Sequence, residues 1–124
     1  MYVGGIKAIS PKGLIDMIKG GKKLKILDVR DVDFGEHAVI KNAIHLPLNE
    51  HTETNISKIV DSSIKEKIDK MVCYCHTGPR SVFSADLIKK EMKTLDEKPN
   101  FDVEFLKGGI LGFIETEGYR ECVE

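Results

Sequence analysis

Short apolar runs separated by stretches of helical spacing constrain this chain more than any other feature. Residues 24–29, with Leu24, Ile26, Leu27 and Val29, and residues 71–74, with Met71, Val72, Cys73 and Tyr74, have the length and apolar character of buried strands. Residues 102–106 alternate like a strand and end at Gly108-Gly109, and residues 43–46, just before Pro47, form a weaker strand candidate. Helical signals lie between them. Ser10-Pro11 reads as an N-cap followed by proline at the first helical position, Leu14, Ile15 and Ile18 share one face, and Gly20-Gly21 ends the run. Ile56, Ile59, Val60, Ile64 and Ile68 are spaced for an amphipathic helix open to interruption at Ser62-Ser63. From Ser81 onward Val82, Ala85, Ile88 and Met92 offer a further helical face, and a last amphipathic stretch covers 110–116. Strands alternating with helices imply βαβ units: an α/β fold with a central, mainly parallel sheet flanked by helices on both faces. In such sheets a ligand site lies beyond the carboxyl ends of the strands.

The chain of 124 residues, 41% of them apolar, supplies one core, and no repeat or Ser/Pro/Gly linker divides it, so residues 1–124 are expected to form a single domain. Nineteen Lys+Arg against twenty Asp+Glu, with 6% aromatics and no Trp, argue against a nucleic-acid partner. The longest apolar run, residues 71–75, is strand-sized and far short of a membrane span, and the amino terminus lacks the layout of a signal peptide. Three cysteines are too few for a disulfide scaffold, which suggests a reducing, cytoplasmic setting.

The chemistry concentrates where the strand at 71–74 meets Cys75-His76-Thr77-Gly78-Pro79-Arg80-Ser81. A cysteine at a strand's end is presented for reaction, and its thiolate is the nucleophile. Gly78 allows a tight turn. A short loop curling into a helix start can aim several main-chain N–H groups at one spot, an anion nest reinforced by the helix dipole. Arg80 adds fixed positive charge, and Ser81 is placed either to cap the helix or to donate to the sulfur. The expected result is a thiol that ionises more readily than a free one, and a cradle able to hold an anion attached to its sulfur.

The segment resembles the active-site loop of rhodanese-like domains, C-x-x-G-x-R-S. Three further segments fit that family in order: Leu27-Asp28-Val29-Arg30, the run His37-x-x-Ile40-x-x-Ala43-x-x-Leu46-Pro47, and Leu106-Lys107-Gly108-Gly109-Ile110 with Phe113. The match spans about residues 6–119. The resemblance implies a single rhodanese-like domain that moves a sulfane sulfur through a Cys75 persulfide. The donor would be a small molecule such as thiosulfate and the acceptor a thiol or cyanide, with a protein sulfur acceptor as a further option. His76, Thr77, Gly78, Pro79, Arg80 and Ser81 would form the persulfide-binding loop, the proline contributing no N–H. Asp28 and Arg30 would brace neighbouring loops, and Gly108-Gly109 would serve close packing and a turn. The resemblance requires no cofactor. Asn42 stands where the family usually has glycine, and Phe113 where it often has tryptophan; asparagine also tolerates a left-handed backbone.

Relatives of the same fold include dual-specificity phosphatases and arsenate reductases, which place five residues between cysteine and arginine. Here there are four, a shorter cradle better suited to one sulfur atom than to a tetrahedral oxyanion. A non-catalytic or thiol-sensing module is a third reading. Cys73 is two residues from Cys75 in an extended run, near the limit for a disulfide, and is read as a core cysteine; Cys122 is read as an incidental thiol. His37, His45, His51 and His76 lack metal-site spacing, and no metal is expected; His37 and His45 are expected to make loop and strand hydrogen bonds.

Overall fold

The computed structural model describes residues 1–31 and 38–124, so His37 lies outside the described residues. The chain opens with a hairpin that the hydrophobic pattern does not reveal. Strand β1 (Tyr2–Val3) runs antiparallel to β2 (Ile6–Ile9), joined by Gly4 (φ 57°) and Gly5 (φ 81°). Two-residue glycine turns with positive φ match the twist of a tight hairpin, so the Gly-Gly pair was the available signal. Helix α1 (Pro11–Lys19) starts as expected: the Ser10 hydroxyl accepts the Gly13 N–H at 3.0 Å and Pro11 occupies the first turn.

Strand β3 (Leu24–Asp28) leads toward β4 (Ile44–His45), an exposed edge strand only two residues long. Between them Asn42 adopts φ 64°, the left-handed conformation expected of a residue standing in for glycine. A 3₁₀ turn at Leu48–Glu50 precedes α2 (Glu53–Glu66). Ser62-Ser63 does not interrupt α2: both hydroxyls bond back to the Ile59 carbonyl, at 3.0 and 2.7 Å, so neither competes for a main-chain bond outside its own helix. Strand β5 (Lys70–Tyr74), helix α3 (Pro79–Met92), strand β6 (Asp102–Leu106) and the short helix α4 (Gly109–Phe113) follow, then a 3₁₀ turn at Tyr119–Cys122. Helix α3 begins two residues earlier than its apolar face suggested, because proline's fixed φ suits the first helical position.

The six strands among the described residues form one sheet in the order β1-β2-β6-β5-β3-β4, parallel except for the first pair. Alternation along the central strands divides the interior into two cores. Met71, Cys73 and Cys75 face Ile56 and Val60 of α2 and Ala85 and Ile88 of α3. Val72 and Tyr74 face the opposite way, toward Leu14 and Ile15 of α1 and Ile110 and Phe113 of α4. Helices therefore cover both faces, and the same two-residue period that builds the cores decides which side of the sheet Cys75 serves.

Two contacts outside the sheet fix the segments around it. Gly109, at φ 63°, lies against the backbone of His76 and Thr77 so closely that a Cβ there would collide with the His76 carbonyl. His51 joins the turn before α2 to α3: its Nδ1 donates to the Pro47 carbonyl (3.0 Å), leaving Nε2 to accept from the Ser84 hydroxyl (2.6 Å). Burial lowers the His51 pKa despite the bond to Pro47, so the folded chain favours the neutral ring.

Gly109→Ala is expected to destabilise far more than Gly5→Ala. The Gly5 position has positive φ but open space, costing about 1–2 kcal/mol; Gly109→Ala adds a main-chain collision and should cost at least about twice that. Denaturant unfolding of the two variants at matched m-values checks the ranking. His51 sets a pH dependence as well. An unfolded histidine binds its proton more readily than the folded one here, so its stabilising effect is complete above about pH 6.5 and is lost as pH falls below that value. Unfolding free energy measured from about pH 7 to pH 5 should fall less steeply in His51→Gln than in the parent chain.

Candidate functional site

Cys75 is the first residue past β5 and is only 2% exposed. Its Sγ accepts the Gly78 N–H at 3.1 Å, and its thiol faces the Ser81 Oγ at 3.7 Å. Gly78, at φ 134°, is the N-cap of α3, so the helix starts beside the sulfur with its partially positive end toward the loop. Ser81 neither caps the helix nor donates to the sulfur. Its hydroxyl donates to the Gly78 carbonyl at 2.6 Å, and its amide donates to the same carbonyl at 3.1 Å. Of the loop's amides, that of Gly78 reaches Sγ, that of Ser81 bonds within the helix, and Pro79 has no N–H.

Helix α4 holds the loop from behind. The Ile110 N–H donates to the Cys75 carbonyl at 2.9 Å and the Leu111 N–H to the His76 carbonyl at 3.3 Å. In a trans peptide the carbonyl and the following N–H point in opposite directions, so the amides of His76 and Thr77 are turned away from α4. Gly108 (φ 76°) and Gly109 make the turn that permits this approach. Gly109 acts on the loop's backbone, which it meets at His76 and Thr77.

A cavity of about 210 Å³ opens over the sulfur, lined by Arg30, Cys75, His76, Thr77, Pro79 and Arg80. The two arginines are held in different ways. Arg80 is 47% exposed and its Nη1 lies 2.6 Å from Asp31 Oδ2, an acid that is itself 42% exposed. Pairs of this exposure contribute little to stability and are screened by salt. Asp31 was not singled out from the sequence; its position next to Arg30, past the end of a strand bordering β5, was the signal.

Arg30 is buried. Its Nε and Nη2 make a two-pronged bond to Asp28 (2.9 and 2.7 Å), its main-chain N–H donates to the same carboxylate (3.1 Å), and Nη2 also reaches the Ala38 carbonyl (3.1 Å). Tyr74 completes the group: its hydroxyl donates to Asp28 Oδ2 (3.0 Å) and accepts the Ile40 N–H (3.2 Å), while the Arg30 guanidinium lies 5.3 Å from its ring centroid. Burial alone would lower the Arg30 pKa, but the carboxylate of Asp28 more than offsets it and the net shift is upward. Burial, with Asp28 next, raises the Tyr74 pKa, so the phenol stays a donor. Asp28 and Arg30 thus brace this corner, and Arg30 also forms part of the cavity wall. Tyr74 was missed in the sequence, although a tyrosine in a buried strand needs a partner for its hydroxyl. His45 Nε2 meets the Arg30 carbonyl at 2.7 Å, the strand hydrogen bond expected of it.

The other thiols lie elsewhere. Cys73 is fully buried between β3 and β6, with Ser84 Oγ at 3.6 Å, and burial pushes its thiol up to about 12. Cys122 is buried in the opposite core, where burial raises its pKa. Among the described residues, no group of three or more His, Cys, Asp or Glu side chains is arranged to hold a metal, and no helix is long and apolar enough to cross a membrane.

Several known proteins share this fold. An As-Sb reductase from Leishmania major superposes with a TM-score of 0.82 at 25% identity, covering 91% of this chain and 79% of that one. A Saccharomyces cerevisiae protein described as a homologue of single-domain rhodanese and the Cdc25 phosphatase catalytic domain gives 0.78 at 19% identity over 95% and 86% of the two chains. A rhodanese-like domain protein from Staphylococcus aureus gives 0.66 at 21% identity over 96% and 97%. At those two lower identities the likeness is one of fold. In sequence, the Bacillus subtilis (strain 168) protein named "Putative sulfur carrier protein YrkF" is 30% identical over 86 residues, 69% of this chain; the chain spans only 43% of that relative's length. The model of the rhodanese-like domain matches residues 10–116, a stretch that takes in Asp28 and Arg30, the whole Cys75 loop and the Gly108-Gly109 turn, and by that match the chain belongs to the rhodanese-like family.

Proposed function

We propose that this chain is a sulfurtransferase that carries a sulfane sulfur as a persulfide on Cys75. The observation that carries the reading is the sulfur's position: at the floor of a cavity of about 210 Å³, bonded to the Gly78 N–H at the start of α3, with Arg30 and Arg80 among the lining residues. That environment sets a main-chain donor and a helix start beside the sulfur and leaves room above it for a small anion. The Cys75 thiolate attacks the outer sulfur of thiosulfate; the new S–S bond forms as the bond to the sulfite group breaks, and sulfite leaves with the electron pair. Cyanide then attacks the outer sulfur, thiocyanate departs, and the Cys75 thiolate is restored, with no external oxidant or reductant. The main-chain donor at Gly78 would hold the inner sulfur, and the outwardly turned Thr77 amide and Arg80 would face the outer one. The name of the Bacillus relative, a sulfur carrier, is consistent with such traffic. A reducing, cytoplasmic compartment suits a free reactive thiol.

The Leishmania neighbour favours a second reading, thiol-based reduction of an oxyanion. The four-residue interval between Cys75 and Arg80 and the absence of an acid side chain within the loop weigh against oxyanion and phosphate-ester chemistry.

Purified protein assayed side by side should form thiocyanate from thiosulfate and cyanide, and should hydrolyse aryl phosphate or reduce arsenate far less well. After thiosulfate alone, mass spectrometry should find one added sulfur on the peptide bearing Cys75. Cys75→Ser should lose at least about a thousandfold in transfer while unfolding at the same denaturant midpoint; retained transfer would overturn the assignment. Arg80→Ala should raise KM for thiosulfate about tenfold at low ionic strength, the scale of one charge-assisted hydrogen bond, with partial recovery in Arg80→Lys. An unchanged KM would remove Arg80 from donor binding.

A further inference from the structure

Beside the cavity of about 210 Å³ over Cys75, a second hollow of about 390 Å³ lies against the same loop. Thr77 and Pro79 line both cavities and form the ridge between them. Beyond that ridge the wall is apolar: Met1 and Val3 from the opening hairpin, Val82 from the first turns of α3, and Phe105 from β6. One charged side chain lines it, Lys107, which has no ion pair among the described residues. Val3 is 41% exposed, so part of this surface faces water in the absence of an occupant. The hairpin passes close to α3: a Cβ added at Gly4 would meet the Val82 side chain at 3.8 Å.

We infer that this second hollow binds the organic body of the sulfur acceptor, and that the acceptor is an aliphatic thiol with a carboxylate at its far end. The inference rests on the sulfur-transfer reading and names its acceptor class. The thiol crosses the Thr77–Pro79 ridge to reach the Cys75 persulfide, the methylenes lie on Val3, Val82 and Phe105, and the carboxylate meets Lys107. The acceptor's thiolate sulfur bonds to the outer sulfur as the bond to Cys75 Sγ breaks. Cys75 leaves as thiolate, the acceptor leaves as an alkyl persulfide, and the proton lost from the acceptor thiol goes to solvent. Cyanide uses none of this surface.

The test compares mercaptopropanoate, mercaptohexanoate and mercaptohexanol, each with the thiol at one chain end and the polar group at the other, as acceptors with thiosulfate as donor. Each buried methylene strengthens binding about fourfold when fully covered, so kcat/KM should rise at least about tenfold from mercaptopropanoate to mercaptohexanoate. Lys107→Glu should lower mercaptohexanoate turnover about tenfold, leave mercaptohexanol within about twofold, and leave thiosulfate:cyanide transfer unchanged. Val3→Ser, on the exposed hairpin, should shrink the chain-length preference. Normal thiocyanate formation with no chain-length preference and no effect of Lys107→Glu would overturn the acceptor site while sparing the sulfur-transfer reading. If no transfer occurs at all, that reading falls, and titration of heptanoate still decides the hollow: shifts in the Val3 and Val82 methyl resonances support it, and their absence overturns it.

Discussion

The loop that carries Cys75 keeps its shape because a second helix start is bonded to its back. The first turn of α4 donates to the Cys75 and His76 carbonyls, and Gly109 is what lets that turn come so close. Were those carbonyls left to water, the peptide planes at residues 75–77 would be free to rotate, and the amides that follow them would lose their direction. Two helix N-termini therefore meet at this point with different tasks. That of α3 presents positive potential to the sulfur, while that of α4 spends its N–H groups on the loop's carbonyls.

Charge around the cavity divides by burial. Arg30 makes a two-pronged bond to Asp28, and Tyr74 closes the remaining side of that carboxylate, so the guanidinium's position is fixed by partners that are themselves buried. A buried pair of this kind adds little net stability over a well-packed apolar group, but removing one member strands the other in a medium of low dielectric. Arg80 is tied to Asp31 across an exposed edge, where water competes with the bond. Arg30 is thus fixed by buried partners, whereas the Arg80 pair is open to water.

The parts of this design that obey a period were legible in the sequence. The buried strands, the helices on both faces, the Ser10-Pro11 start and the Cys75 loop followed from apolar spacing and turn chemistry. The hairpin at Tyr2–Ile9 was not, because a two-residue strand beside a four-residue one is too short to display an alternation. Tertiary partners were also hidden. Asp31 beside Arg80, Tyr74 beside Asp28 and Ser84 beside His51 are separated from their partners by between 33 and 49 residues in sequence, distances at which residue spacing says nothing about contact. Ser81 illustrates the same limit at short range: its type suited a cap, but a glycine and a proline upstream had already fixed the helix start.

Cys73 and Cys75 show how little displacement separates an inert thiol from a candidate nucleophile. Both point to the same face of the sheet, as residues two apart in an extended strand must. Cys73 is paired in register with Leu27 and Phe105, so its sulfur is enclosed by neighbouring strands and α3, and burial holds it protonated well beyond physiological pH. Cys75 stands one residue past the last strand residue of β5. There the side chain still borders the core, but the backbone turns at Gly78 and an N–H group reaches the sulfur. The end of the strand, more than the cysteine itself, creates the site.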